Sequence, residues 1–226
     1  MKRRSASSAI PFNRCKVFFD FDNTIAMSDV VDDIIGRFAV GDRWIELEKL
    51  WKEGTIGSRE CLSGQFGSVK VSKKELAEYL KLKAIDPDFK NILAFLATKK
   101  IKPVIVSDNF EFILKSILKN NGITGLEVFC NKVEFNKDQL KLSFPHLSKD
   151  CARCAHCKKN TLADNTKKND FIIYVGDGLS DLCAAQDAHL VFAKASLLKY
   201  FRKIGRPCVP FKTLKNVLNY MTENAL

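Results

Sequence analysis

Asp20 and Asp22 stand two residues apart, directly after the apolar run Cys15-Lys16-Val17-Phe18-Phe19. On an extended backbone, side chains at i and i+2 start on one face, so both carboxyl groups enter the same space. Two further clusters have the same form. Ser107-Asp108-Asn109 follows Pro103-Val104-Ile105-Val106, and Gly176-Asp177-Gly178-Leu179-Ser180-Asp181 follows Phe171-Ile172-Ile173-Tyr174-Val175. One such cluster reads most simply as a turn, because Asp, Asn and Gly make turns. Three of them converge on one site if the strands are neighbours in a parallel sheet, where ligands bind at the carboxyl ends. Asp20, Asp22 and Asp177 would then crowd three carboxylates that repel one another unless a hard cation lies among them. Oxygen ligands without neighbouring histidines favour Mg²⁺ over Zn²⁺. A phosphate could complete that cation's shell, with Ser107 and a lysine supplying the remaining contacts.

The elements that must position these residues follow from periodicity. The three apolar runs fit strands buried on both faces of a parallel sheet. From Asp29 to about Lys83 the pattern is helical: Trp44, Leu47 and Trp51 share a face, and Ser72 with Glu75 forms a capping-box signature. No strand is expected there, so the stretch reads as a helical insertion. A helix starts at Asp86-Pro87 with Phe89, Ile92, Leu93 and Leu96 on its apolar face. Another carries Phe110, Ile113, Leu114, Ile117 and Leu118 and closes at Gly122. Residues 128–142 suggest a hairpin turning near Asn136-Lys137-Asp138, and 145–169 shows no clear period. A helix from about Leu179, a short strand at Leu190-Val191-Phe192 and a last amphipathic helix through Leu214, Val217, Leu218 and Met221 complete the chain. The expected fold is α/β, a doubly wound parallel sheet. Its core is residues 13–27 and 86–226, with a helical cap at 28–85 and a flexible N-terminus at 1–12.

In order and spacing, these residues resemble the haloacid-dehalogenase superfamily. Asp20-Phe21-Asp22-Asn23-Thr24 resembles its first motif, Ser107 its second, Lys158 its third, and Gly176-Asp177-Gly178 with Asp181 its fourth. Asn23 stands where the superfamily often has Gly, and Lys159 is a rival to Lys158. The run Cys151-Ala152-Arg153-Cys154 leading to Cys157-Lys158, with Val106-Ser107-Asp108 and Tyr174-Val175-Gly176-Asp177-Gly178, is similar to the phosphoethanolamine/phosphocholine phosphatases. The methylthiopentenyl-phosphate phosphatases of methionine salvage have a similar layout, and phosphoserine phosphatases share the plan.

The resemblance implies a Mg²⁺-dependent phosphomonoesterase acting on a small phosphorylated metabolite. Asp20 would form an aspartyl-phosphate, and Asp22 would act as general acid and base. Mg²⁺ would be held by Asp20, the backbone carbonyl of Asp22, and Asp177. Ser107 and Lys158 would neutralise phosphoryl oxygens. Gly178 and Asp108 would contact substrate, the latter meeting a cationic head group such as ethanolamine or choline. Thr24 and Asp181 would support the site, Asp181 by orienting Lys158 or a metal-bound water. A methionine-salvage or phosphoserine-type phosphatase, or a phosphotransferase, is the alternative reading. A non-catalytic phosphate or nucleic-acid binder would need no nucleophile.

Eight cysteines without a signal-like apolar segment point to reduced thiols and a cytoplasmic setting. Cys151, Cys154 and Cys157 have metal-site spacing and, with His156, could hold a structural Zn²⁺ completed by Cys130, Cys183 or Cys208. The bland alternative is a set of buried thiols seating Lys158. Hydrophobic residues make up 46% of the chain, enough for a core, and no apolar run would span a bilayer. The net charge of +11 favours anionic ligands generally, but the lysines are scattered in pairs, so no nucleic-acid partner is expected.

Overall fold

Residues 9–136, 139–151 and 153–225 are described by the computed structural model. The strands are β1 (Cys15–Phe19), β2 (Val104–Phe110), β3 (Glu127–Asn136), β4 (Gln139–Ser143), β5 (Phe171–Gly176), β6 (Leu190–Ala193) and β7 (Val209–Pro210). They form one sheet in the order β4-β3-β2-β1-β5-β6-β7, parallel except for the β3–β4 hairpin. The tip expected at Lys137-Asp138 lies outside the described residues. Because β2 and β5 flank β1 on opposite sides, the strand order reverses at β1. The carboxyl ends of β1, β2 and β5 therefore open onto one crevice.

The apolar runs are buried on both faces, as unbroken hydrophobic strands should be. Val17, Phe19, Ile105, Ile173 and Val175 point to one side, and Phe18, Val104, Val106 and Tyr174 to the other. The first side is covered by α5 (Asp88–Thr98), α6 (Glu111–Asn120) and α10 (Leu214–Glu223), through Phe89, Ile92, Ile113, Ile117, Leu214 and Val217. The second is covered by α7 (Lys158–Asp164), α8 (Leu182–Gln186) and α9 (Ala195–Lys203), through Leu162, Ala184, Ala185, Leu197 and Phe201.

Between β1 and α5 the chain forms α1 (Val30–Phe38), α2 (Arg43–Lys52), α3 (Ser58–Gly67) and α4 (Lys73–Leu80). Asp29 caps α1 by accepting the Asp32 N–H at 3.0 Å, and Ser72 with Glu75 closes the capping box of α4. These helices are not a separate lobe: Val30, Ile34, Leu62, Phe66 and Leu76 belong to the same apolar cluster as the sheet. Phe66 meets Phe110 edge-on at 4.7 Å. The entrance and exit of the helical segment are tied together where Ala26 bridges Ile85 and the Asp86 N–H donates to the Ile25 carbonyl at 2.8 Å. Asp86 itself is buried, and its carboxylate serves two helices. One oxygen accepts from Asp88 N at 3.0 Å at the start of α5, the other from Leu214 N at 2.8 Å at the start of α10.

Several details depart from the sequence reading. Strand β2 does not stop at Ser107 but runs on to Phe110, with a register shift against β3 between Val106 and Phe110. The stretch after Asp177 opens with a 3-10 turn, Leu179–Asp181, before α8. Helix α7 and strand β7 were not expected. Ile10 and Phe12, assigned to a flexible N-terminus, are buried: Ile10 N donates to the Asn224 carbonyl at 2.8 Å, and Phe12 packs edge-on to Phe95. No helix among the described residues is long and apolar enough to cross a membrane.

Candidate active site

Asp20 follows β1 and is fixed there by its own N–H, which donates to the Val175 carbonyl of β5 at 2.9 Å. Its Oδ1 accepts from Lys158 Nζ at 2.8 Å. Lys158 is the first residue of α7 and is 3% exposed, and its ammonium also donates to Asp181 Oδ1 at 2.7 Å and Ser180 Oγ at 3.2 Å. Burial works against that charge, but Asp181 and Asp20 outweigh it and hold Lys158 protonated well past its ordinary range. Lys159 points the other way, to Asp187 at 3.3 Å on the surface. The helix that the sequence hid is thus the element that carries the lysine inward.

Asp181 is saturated. Its Oδ1 also accepts from the Tyr174 hydroxyl at 2.7 Å, and its Oδ2 accepts from the N–H groups of Asp177 and Gly178 at 3.0 Å each. This close wrapping explains Gly176, where a Cβ would collide with the Asp181 carboxylate and the Tyr174 ring. Asp177 accepts from Thr24 Oγ1 at 3.2 Å. Burial, then the charge of Asp181, pushes Asp177 up to about 7. Burial and Asp181 likewise push Asp20 well above the carboxylate range, against the pull of Lys158.

Asp20, Asp177 and Asp181 bring oxygens within 4.8 Å of one another, and among the described residues no other His, Cys, Asp and Glu side chains gather in this way. Three carboxylates against one ammonium leave an excess of two negative charges. A divalent cation fits that excess, and the all-oxygen donor set suits Mg²⁺. The carboxylate of Asp22 is not in the group. It is turned away to accept from Val30 N at 2.9 Å and from Asn109 Nδ2 at 3.1 and 3.0 Å. Burial, then the charge of Asp29, pushes the Asp22 carboxyl well above the ordinary range. Asn23 has φ +53°, a left-handed conformation that Asn tolerates, so it fills the place where the superfamily often has Gly without a change of backbone.

Ser107 is buried, with its Oγ accepting from Asn109 N at 3.1 Å. Asp108 lines the same pocket with one buried oxygen lacking a hydrogen-bond partner, and burial raises it to about 6. The pocket is a cavity of about 130 Å³. Its floor is Asp20, Asp22, Ser107 and Gly178, and its roof is Asp29, Asp32, Glu48, Trp51, Ser58 and Leu62 from the helical segment.

Two partners escaped the sequence reading, Asn109 and Tyr174. Asn109 could have been found as the i+2 neighbour of Ser107, once β2 was extended. Tyr174 is a polar ring in a strand otherwise apolar. The zinc expectation at Cys151, Cys154, Cys157 and His156 is not supported. Cys151 and Cys154 come within 3.3 Å, but Cys157 precedes α7 and His156 Nε2 is engaged with Thr161 Oγ1 at 2.7 Å.

At the switch point of the parallel sheet, one lysine is thus shared between two buried aspartates, and a third carboxylate completes the cluster. The chain belongs to the Putative Phosphatase family, whose pattern it matches over residues 15–192. It is 28% identical to the 2-hydroxy-3-keto-5-methylthiopentenyl-1-phosphate phosphatase of Lysinibacillus sphaericus, over 92% of this chain and 93% of that one. It is 31% identical to the enzyme of that name from Bacillus pumilus, over 82% and 81%. A phosphoserine phosphatase solved as a phospho-aspartyl intermediate analogue shares the fold with a TM-score of 0.72 at 19% identity, over 92% of this chain and 99% of that one. A haloacid-dehalogenase family hydrolase from Salmonella enterica gives 0.74 at 21%, over 94% and 72%.

Proposed function

We propose that the chain hydrolyses a small phosphorylated metabolite with Asp20 as nucleophile, and that this metabolite is the methylthiopentenyl phosphate for which its relatives are named. The observation that carries the chemistry is the Lys158 ammonium shared between Asp20 and Asp181, with Asp177 beside them. In this reading Asp20 attacks phosphorus and Lys158 and Ser107 take up phosphoryl charge. Asp22 protonates the departing oxygen, then accepts a proton from the hydrolytic water. Asp20, Asp177 and the Asp22 carbonyl would hold Mg²⁺, which supplies charge neutralisation at the transferring group. Gly178 lies against the substrate, while Thr24 and Asp181 hold Asp177 and Lys158 in place.

Residues 28–85 act as a cap that closes the site from water. For the substrate, Val31, Trp51 and Leu62 offer an apolar wall that suits a methylthio tail. A second reading rests on Asp29, Asp32 and Glu48 in the same roof and on the unpartnered Asp108 oxygen, which would suit a cationic head group such as ethanolamine or choline.

The test is phosphate release with Mg²⁺ from a panel holding the methylthiopentenyl phosphate, phosphoethanolamine, phosphocholine, phosphoserine and glycerol phosphate. The methylthiopentenyl ester is expected to give the highest kcat/KM, and preference for the amine esters would move the assignment to the second reading. Asp20→Asn is expected to lose about 10⁴-fold or more in kcat. Near wild-type turnover by that variant would end the covalent mechanism.

A further inference from the structure

The stretch from Cys151 to Cys157 does more than lead into Lys158. Arg153 reaches the helical cap, donating through Nη2 to the Gly54 carbonyl and, at 3.1 Å, to the Ile56 carbonyl. Its own carbonyl accepts from Arg59 N at 3.2 Å, and Ala155 N donates to Ser58 Oγ at 2.8 Å. The approach is so close at Gly57 that a Cβ there would collide with the Arg153 backbone. Ser58 and Asp108 line the substrate pocket, so this latch sits at its wall. Cys151 and Cys154 bracket Arg153, and their sulfurs are 3.3 Å apart. Both are free and only half-buried.

We propose that Cys151 and Cys154 are a redox-active dithiol, and that its oxidation to a disulfide loosens the latch holding the cap over the pocket. A disulfide needs sulfurs about 2.05 Å apart, so the pair must close by about 1.2 Å from its present 3.3 Å. Arg153 O and Ala155 N, which grip Arg59 and Ser58, lie between or beside the two cysteines and must shift with them.

The chemistry divides between the two thiols. Cys151 is the attacking one: the N–H groups of Arg153 and Cys154 face its sulfur and favour the thiolate. Burial, then Cys151 itself, pushes Cys154 up to about 12, as befits a resolving thiol that reacts second. The Cys151 thiolate attacks a sulfur of a small disulfide such as oxidised glutathione, forming a mixed disulfide and expelling one thiolate. That thiolate, or solvent, takes the Cys154 proton. The Cys154 sulfur then attacks Cys151 and expels the second glutathione thiolate. The protein dithiol is oxidised by two electrons and the small disulfide is reduced to two thiols.

The test treats the full chain with oxidised glutathione and follows three readouts. Peptide mapping is expected to find the two-hydrogen mass loss between Cys151 and Cys154. Both tryptophans of the chain, Trp44 and Trp51, lie on α2, so their emission should change on oxidation and return with dithiothreitol, whether or not any substrate is turned over. With p-nitrophenyl phosphate, kcat/KM should fall about tenfold, within what a ~1 Å misplacement can cost. Cys154→Ser should trap glutathione on Cys151. The double variant Cys151→Ser/Cys154→Ser should keep reduced wild-type activity and ignore the oxidant. The proposal is overturned if no 151–154 bond forms. It is equally overturned if the double variant responds like wild type, or if active protein carries zinc released by thiol reagents. Absence of phosphatase activity, with the bond and the emission change present, would instead count against the proposed function alone.

Discussion

Beneath the pocket, Asp20 and Asp181 are buried and tied to Lys158, and Asp181 accepts from Tyr174 and two backbone N–H groups as well. Above it, Asp29, Asp32 and Glu48 face the same space from helices and keep more contact with water. Asp29 is occupied with capping α1, and Glu48 pairs with Lys52 at 3.0 Å and Gln65 at 3.2 Å. The same acidic residue types therefore work under opposite conditions. A buried, fully partnered carboxylate has one geometry available and suits a step common to all phosphate esters. A partly hydrated one on a helix surface can be exchanged without undoing the fold, and suits choosing among leaving groups. Floor positions should be intolerant of isosteric change, and roof positions should be tolerant but selective.

After Asp20, the largest expected effect among floor positions is at Asp22. An alkoxide leaving group needs a proton, whereas p-nitrophenolate leaves without much help. Asp22→Asn should slow the first, phosphoryl-transfer step for alkyl phosphates by about 10²–10⁴-fold. The loss for p-nitrophenyl phosphate should be far smaller, measured as single-turnover rates, which a slow dephosphorylation step does not mask. Equal losses would remove Asp22 from acid catalysis.

Next comes the stability of the metal-free protein. The folded Asp177 carboxyl titrates near 7, above its ordinary value, so its proton is bound more tightly in the folded state. Its contribution is fully present below about pH 4 and is lost as pH rises through about 7. The loss should be on the order of 4 kcal/mol in chemical denaturation between those limits. It should be absent in Asp177→Asn and reversed by added Mg²⁺. A flat profile would mean that the carboxylate crowding is relieved without a cation.

Asn109→Ala removes both amide bonds to Asp22 while leaving the metal-facing carboxylates alone. We expect kcat to fall about tenfold with KM unchanged, since losing the hold of the Asn109 amide on Asp22 costs about 0.5–1.5 kcal/mol. A KM effect instead would place Asn109 at the substrate.

The smallest effect belongs to the roof. Asp32→Asn should leave p-nitrophenyl phosphate turnover unchanged and alter the ranking of natural esters by a few-fold in kcat/KM, the scale of a solvated charge contact. A large, substrate-independent loss would erase the distinction between floor and roof.

Much of the floor was readable in the chain. Asp20, Ser107 and Asp177 each terminate or interrupt an apolar run, and periodicity sees such runs well. The choice of Lys158 over Lys159 rested on motif position. Its physical basis is that the first residue of α7 points inward while the second faces Asp187, and a seven-residue helix leaves too short a pattern to be seen. Asn109 and Tyr174 were missed for another reason. Each acts on a partner brought close only by the fold, Asn109 on Asp22 across 87 positions, and Tyr174 on Asp181 through the turn after β5. The extension of β2 to Phe110 was hidden because Ser, Asp and Asn are turn formers by composition, and here tertiary pairing with β3 overrides that preference. Strand β7, two residues long, carries no period at all.

Asp86 gives the molecule a timetable. Its two oxygens hold the first turns of α5 and α10, the second through Leu214, 128 positions away, and its own N–H stitches the exit of the helical segment to Ile25. During synthesis from the N-terminus, α5 and the cap can form early, but the second oxygen has no partner until Leu214 has been made. The exit of the helical segment is thus fastened by a residue made 128 positions after Asp86. A nascent chain stalled before α10 would carry Asp20, Ser107, Lys158 and Asp177 and still lack that second tie.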